Sequence, residues 1–344
     1  MKKNLISVVM SVFNGANFLR EAIISVLNQT YSDFEFIIID DGSSDDSSEI
    51  IQSFNDSRIH FFCNPCNLGL AKSLNRGIEL SSGEFIARMD CDDVCIPDRF
   101  EIQVEFLKSH DDIGICGSSI YMLQNDSKRR IQVYLDKYLL SFMLLFHNTM
   151  AHPSVMMKKV VLNDFHLRYD ENMKAAQDYD FWARCAEVTN LANCPEPLLY
   201  FRVHGNNTID RLPGIQEKAA ASVRRRLLGQ LGIMPSSSEA EIHEMLSSFF
   251  LGEKFFLTKG AIRRIEEWLK KILDSNERLA RYPRIQFRHL LADIFNSVCC
   301  QYPSMGLPLL KIYYHSSLTN YLNNPLTNKI RAFYRCVRSM FFPR

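Results

Sequence analysis

The strongest constraint on the fold is an alternation of strand-like and helix-like segments over residues 5–89. Short β-branched runs at Leu5–Met10, Phe34–Ile39, Ile59–Phe62 and Phe85–Met89 read as strands. Between them lie three segments with helical spacing. The first is capped at Asn17 and carries Ala22, Ile23, Val26 and Leu27 on one face; the second opens at Ser44 or Asp45 and runs to Phe54; the third spans Leu70–Leu80. Strands separated by helices of about ten residues indicate βαβ units and a mainly parallel sheet. Ligands of such sheets bind beyond the carboxyl ends of the strands. Here those ends read Ser11-Val12-Phe13-Asn14, Asp40-Asp41-Gly42-Ser43, Asn64 to Gly69, and Asp90-Cys91-Asp92-Asp93.

Carboxylates this close repel one another unless a cation or hydrogen-bond donors compensate. Hard divalent cations such as Mg²⁺ and Mn²⁺ take oxygen ligands and bridge carboxylates to substrate phosphates. Asp90 to Asp93 therefore reads either as a metal site or as a solvated acidic turn before a helix that opens after Pro97. Asp40-Asp41-Gly42-Ser43 reads either as a capped βα turn or as an acceptor for a base N–H of a nucleotide, uracil above all. No GxxxxGK[ST] phosphate loop is present, and Asn14-Gly15-Ala16-Asn17 does not fit GxGxxG. P-loop and dinucleotide-binding chemistry are thereby disfavoured.

Beyond residue 112 the pattern is mixed. Ile113–Gly117 and Leu198–Val203 read as strands, Leu139–Phe146 and Tyr179–Glu187 as helices. Helices then follow one another over roughly 215–231, 237–251, 259–274, 284–300 and 305–318. Charge divides at the same place. Residues 1–214 hold 20 Lys and Arg against 29 Asp and Glu, a net −9, whereas 215–344 hold 20 against 10, a net +10. Two regions are expected, 1–214 and 215–344, with different tasks. A basic helical region such as Arg224-Arg225-Arg226, Arg263-Arg264 and Lys270-Lys271 suits either a solvated subdomain or contact with an anionic membrane face. No nucleic-acid recognition motif is present, and nucleic acid is not expected as a partner. No apolar run reaches 18 residues and no signal peptide is evident, so a cytoplasmic protein with reduced thiols is expected from the ten cysteines. Cys63-Asn64-Pro65-Cys66 has CxxC spacing but no second pair to complete a zinc site, and small buried cysteines are the expectation there.

Taken in order, these motifs resemble family 2 glycosyltransferases, which have the GT-A fold. The matching residues are Ser7 to Asn14, Asp40 to Asp45, Asn67-Leu68-Gly69 with Asn75-Arg76-Gly77, Asp90 to Asp93, His152-Pro153-Ser154, Gln177 to Arg184, and Tyr200 to His204. The resemblance covers about residues 4–210 and implies an α/β fold, a mainly parallel mixed sheet flanked by helices, with a C-terminal helical region added. It further implies a nucleotide-sugar donor and inversion at the anomeric carbon. Val12, Asn14, Asp40 and Asn67 would line the nucleoside site, Asp90 would face the ribose, and Asp92 with His204 would hold Mn²⁺ or Mg²⁺ on the diphosphate. Asp178 matches the catalytic base, although the family's Glu-Asp is here Gln177-Asp178. Asp180, two residues along the helix, should face elsewhere. Trp182 is either core or a wall of the acceptor site. The implied reaction moves a hexose from a UDP-sugar, glucose or galactose favoured, to a polyprenyl-diphosphate-linked saccharide in O-antigen or capsule synthesis. Such an enzyme would sit peripherally on the inner face of the cell membrane. The alternative is a non-catalytic carbohydrate-binding or scaffold protein on the same fold.

Overall fold

Strand β1 (Lys2–Val12) is the axis of the sheet, and its last eight residues are buried. A strand covered on both faces can carry an unbroken apolar run. In the computed structural model, which describes residues 1–124, 127–131, 133, 136–204, 213–253, 255, 257–325, 327–332 and 335, β1 pairs in parallel with β2 (Phe34–Asp40) and β4 (Gly83–Asp90). Strand β3 (Ile59–Cys63) continues the parallel set beyond β2.

Helices α1 (Ala16–Leu27), α2 (Ser47–Gln52) and α3 (Leu70–Leu80) make the crossovers. The third has the expected span. Helix α1 starts before Asn17 because its first donors are capped from a distance: Gly15 N–H donates to Ser47 Oγ and Ala16 N–H to Asp45 Oδ2, each at 3.0 Å. Helix α2 starts later than Ser44 or Asp45: Ser44 N–H donates to Asn14, and the Asp45 carboxylate bridges Ala16 N–H to the N–H of Ser47, the first helical residue. Helix α3 lies hard against β1. A Cβ on Gly77 would stand 2.3 Å from Val9 Cγ1, so no larger residue fits there.

The other half of the sheet is antiparallel and parallel by turns. It contains β5 (Val94–Cys95), β6 (Ile113–Gln124), β7 (Ser127–Ile131), β8 (Met156–Lys158) and β9 (Asn190–Arg202). The strand order is β3-β2-β1-β4-β8-β6-β9-β5, with β7 on β6. Helices α4 (Arg99–Ser109), α5 (Lys137–Met143), α6 (Lys159–Asp164) and α7 (Gln177–Cys185) flank it.

Several expectations change here. Strand β9 begins at Asn190, not Leu198, because its pairing with β6 slips between Ser118↔Cys194 and Ser119↔Pro197. Pro195 and Pro197 sit at this irregularity, where their missing N–H groups do least harm, and they break the pattern that marks a strand. The three-residue β8 and the helix α6 had no periodic signal. Helix α5 ends at Met143, earlier than Phe146. Cys63 and Cys66 are exposed, contrary to the expectation of burial, because they lie at and just beyond the end of edge strand β3. All nine described cysteines are free.

The chain forms two compact units, Met1–Leu144 with Asn148–Val223, and Leu145–His147 with Arg224–Arg344. The division falls inside helix α8 (Pro213–Gln230). The second unit contains α9 (Ser237–Phe250), α10 (Lys259–Leu279), α11 (Arg284–Gln301) and α12 (Leu307–His315). A reciprocal capping box between Ser236 and Glu239 starts α9. Ile262, Ile265, Leu269 and Ile272 give α10 its buried face. Part of the basic surplus is used within the unit, since Arg224 pairs with Glu244, Lys271 with Glu239, and Arg288 with Glu277. The basic end of the sequence, Arg331 to Arg344, lies mostly outside the described residues. No helix among the described residues is long and apolar enough to cross a membrane.

His243 locks this helical unit through a single tautomer. Trp268 Nε1–H can only donate, and it lies 3.1 Å from His243 Nδ1. The proton therefore sits on Nε2, which donates to the Leu145 carbonyl at 2.8 Å. Burial pushes the imidazole down to about 4. A folded state that binds the proton less readily than the unfolded chain loses stability as pH falls from about 6.5 towards 4. Between pH 7 and pH 5 this histidine removes about 2 kcal/mol. Urea unfolding followed by tryptophan fluorescence should show that loss, and His243→Gln should flatten it, because Gln can serve both partners without taking a proton.

Candidate active site

Parallel register brings the strand ends level. Ser11 lies opposite Asp90, Val12 opposite Asp40, and Asp40 opposite Cys63. The loops that follow are tied across this edge. Asn14, at φ 52°, donates its N–H to Ser43 Oγ at 3.0 Å, and its Oδ1 accepts from Ser44 N–H at 2.8 Å. An asparagine tolerates this left-handed backbone better than most residues.

Asp40 and Asp41 differ in their surroundings although both are 2% exposed. Asp40 accepts from Ser43 N–H at 2.9 Å and from the Ser48 hydroxyl, and each oxygen keeps acceptor capacity. Asp41 points the other way and is a structural tie. It accepts from Asn64 Nδ2 at 2.7 Å and from the N–H groups of Leu68 and Gly69, each at 2.9 Å. This draws the Asn67 loop over Gly42, where a Cβ would stand 2.7 Å from the Cys66 carbonyl carbon and φ is +74°. Asn67 is exposed on that loop, whereas the Val12 side chain is fully buried and offers no open surface. Asn75 is also structural, exchanging hydrogen bonds of 2.9 Å with the backbone of Tyr169.

At the end of β4, carboxylate oxygens of Asp90, Asp92 and Asp93 lie within 4.8 Å of one another. The C-terminal end of β9 closes on them. Arg202 N–H donates to Asp93 Oδ1 at 2.9 Å, Arg202 Nε donates to the Asp92 carbonyl at 3.0 Å, and His204 Nε2 lies 3.0 Å from Asp92 Oδ2. Asp93 Oδ2 is buried with no hydrogen-bond partner. Burial, aided by Asp90 and Asp92, holds the Asp93 carboxyl well above the usual carboxylate range. Burial pushes Asp90 up to about 6; Arg88 opposes the rise, while Asp92 and Asp178 add to it. The orphaned, buried Asp93 oxygen and the Asp90 and Asp92 carboxyl oxygens beside it are the hard oxygen donors that a divalent cation takes. Asp92, with His204 against it and its acidic neighbours, fits Mn²⁺ or Mg²⁺.

The only compensating charge on β4 is Arg88, a residue the sequence reading passed over. Its guanidinium is 2% exposed and pairs with Asp90. It also acts on Asp93, Asp178, Tyr169 and His152. Below it, His152 Nε2 lies 2.8 Å from the Tyr169 hydroxyl, and burial holds this histidine well below its ordinary range. The available signal was one charged residue in the apolar run Phe85-Ile86-Ala87-Arg88-Met89.

Asp178 stands in the first turn of α7, following Ala176, whose φ of 53° and ψ of 24° are left-handed. The Asp178 Oδ1 accepts from Tyr179 N–H at 2.8 Å and Oδ2 from Asn148 Nδ2 at 2.7 Å. Burial raises this carboxyl, while the Tyr179 N–H, Arg88 and Asn148 pull it down. Asp180 faces elsewhere, bonded to Arg184 Nε at 2.8 Å. Trp182 is fully buried and belongs to the core.

The family described as "Glycosyl transferase family 2" matches residues 7–164. An uncharacterized glycosyltransferase of Haemophilus influenzae is 31% identical over 245 residues, 67% of this chain and 76% of that protein. The chain belongs to glycosyltransferase family 2. A Rickettsia typhi family relative, also an uncharacterized glycosyltransferase, is 32% identical over 284 residues, covering 76% and 84% of the two chains. Among solved structures, S. aureus TarS 1–349 in complex with UDP-GlcNAc matches with a TM-score of 0.57 at 14% identity, covering 98% of this chain and 91% of that one. The fold of this family 2 glycosyltransferase is thus the GT-A arrangement, a mixed sheet with flanking helices and an added helical region.

Removing the buried cation tests the charge balance directly. Arg88→Met should lower unfolding stability at pH 7 by on the order of 3 kcal/mol, since Asp90 then faces like charges alone. The deficit should shrink at pH 5. Without Arg88 the folded carboxyls bind protons more tightly than the unfolded chain, so stability returns as pH falls through their raised pKa. Urea unfolding at the two pH values reads both effects.

Proposed function

We propose that this enzyme is a metal-dependent, inverting hexosyltransferase that uses a UDP-sugar. The observation that carries the reading is the meeting of two carboxyl sets. An acidic cluster fit for a cation ends β4, and a separate, partly buried carboxylate, Asp178, acts electrostatically on Asp90. A donor diphosphate needs the first and an acceptor hydroxyl needs the second. TarS, of the same fold, is described with UDP and with UDP-GlcNAc, which supports a uridine donor.

Asp40, Asn14 and the exposed Asn67 loop border the nucleoside, and Asp90 meets the ribose. Asp92 and His204 would hold a divalent cation, which would supply Lewis-acid stabilisation of the leaving diphosphate. Asp178 takes the proton of the acceptor hydroxyl as that oxygen bonds to the anomeric carbon from the face opposite the departing UDP. One displacement inverts the centre. We take UDP-glucose or UDP-galactose as the leading donors and a polyprenyl-diphosphate-linked saccharide of O-antigen or capsule type as the acceptor. The setting is the cytoplasmic face of the membrane. Exposed Arg225 and the Arg263-Arg264 pair support peripheral contact with anionic lipid.

With UDP-glucose and Mn²⁺, Asp178→Asn should lower kcat by about 10²–10⁴ and leave donor affinity nearly unchanged. Asp92→Ala should abolish the dependence on Mn²⁺ together with the activity. A fully active Asp178→Asn would move the base elsewhere. Sedimentation with anionic vesicles should carry the protein down at low salt and release it at high salt; equal binding to neutral vesicles would reject the membrane role.

A further inference from the structure

Asn148 donates its side-chain amide to the Asp178 carboxylate. It lies in the loop between α5 and β8, far in sequence from Asp178, and no motif marks it. The orientation of its amide follows from its neighbours. Met150 N–H can only donate, and it lies 3.2 Å from Asn148 Oδ1. The amide nitrogen is therefore turned to Asp178 Oδ2 at 2.7 Å. Tyr179 N–H fixes the other oxygen of the same carboxylate at 2.8 Å. Two donors, one on each oxygen, set the plane of the carboxylate and leave further lone pairs for a hydroxyl proton.

We propose that Asn148 is a positioning residue that aims the Asp178 carboxylate at the acceptor and keeps it ionised at neutral pH. This rests on the reading of Asp178 as the base. Among the described residues, the charged and titratable groups coupled to Asp178 are Arg88 and Asp90 from β4 and Tyr169 from the segment before α7, while Asp180 on its own helix faces elsewhere. Arg88 is already committed to Asp90, and Asp180 to Arg184. A neutral amide suits the remaining position. It stabilises the ionised form by donating, and it cannot itself take the proton the base must receive. An aspartate there would set a second carboxylate against the first and push the base towards protonation.

The test uses the whole protein. Infrared difference spectra between the wild type and Asp178→Asn isolate the carboxyl band of Asp178, whose titration needs neither metal nor donor. Asn148→Ala should raise its midpoint by about one unit, the expected loss of one hydrogen bond to a charged group. Asn148→Asp should raise it further. With UDP-glucose and Mn²⁺ as the probe, Asn148→Ala should lower kcat by about 10–100-fold with an unchanged donor KM, and shift the acid limb of the rate profile to match. In the Asp178→Asn background the same change should add almost nothing, because Asn148 acts only through that carboxylate. An unmoved infrared midpoint, or full additivity of the two substitutions, overturns the proposal while leaving the base assignment standing. Full activity of Asp178→Asn removes the base assignment itself, and this proposal with it.

Discussion

The parallel register of β1 with β2 and β4 is the constraint on which the site depends. With both faces buried, a one-residue shift would carry every β1 side chain to the opposite face of the sheet, where the packing, such as Val9 against Gly77, is shaped for a different residue. Here eight consecutive residues of β1 are buried, so the register is held by the whole core. It follows that Ser11, Val12, Asp40 and Asp90 arrive at one edge together. The loops beyond could still diverge. They are prevented by polar ties: Asn14 to Ser43 and Ser44, and Asp41 to the backbone of Leu68 and Gly69.

Gathering carboxylates at one edge creates an electrostatic problem that the protein meets in two ways. Arg88 brings a buried positive charge beneath the cluster, and the Arg202 backbone donates to Asp93. The compensation is incomplete, since Asp90 and Asp93 both remain raised and one Asp93 oxygen has no partner. A site left short of positive charge in this way favours a divalent cation, and a cation favours a diphosphate. The same logic separates the two acidic roles. Asp178 reaches the cluster from α7, a different element, and is bonded to a neutral amide and a backbone N–H in place of a second charge.

Much of the fold was legible from local pattern. The strands β1 to β4 and the helix α3 follow from apolar runs and helical spacing, which are properties of neighbouring residues. Strand β9 was half hidden because Pro195 and Pro197 interrupt its pattern, yet β6 supplies a partner that carries it across the irregularity. Strand β8 and helix α6 are too short to show a period. The exposure of Cys63 and Cys66 depends on β3 being an edge strand, and edge position is decided by strand order.

The sequence by itself determined the α/β alternation, the acidic strand ends and the division into an acidic and a basic region. These depend on residue type and spacing alone, as does the motif order that marked the family. Tertiary structure decided which of those residues share a site. His204 meets Asp92 across 112 positions and Asn148 meets Asp178 across 30, separations at which no local period carries information. It also divided residues that look alike in sequence. Asp40 keeps acceptor capacity at the strand edge while Asp41 is consumed in tying a loop, and Asp178 meets the Asn148 amide while Asp180 binds Arg184. The reason is geometric. Adjacent side chains leave the backbone in different directions, and only the packed sheet and helices determine what each direction meets.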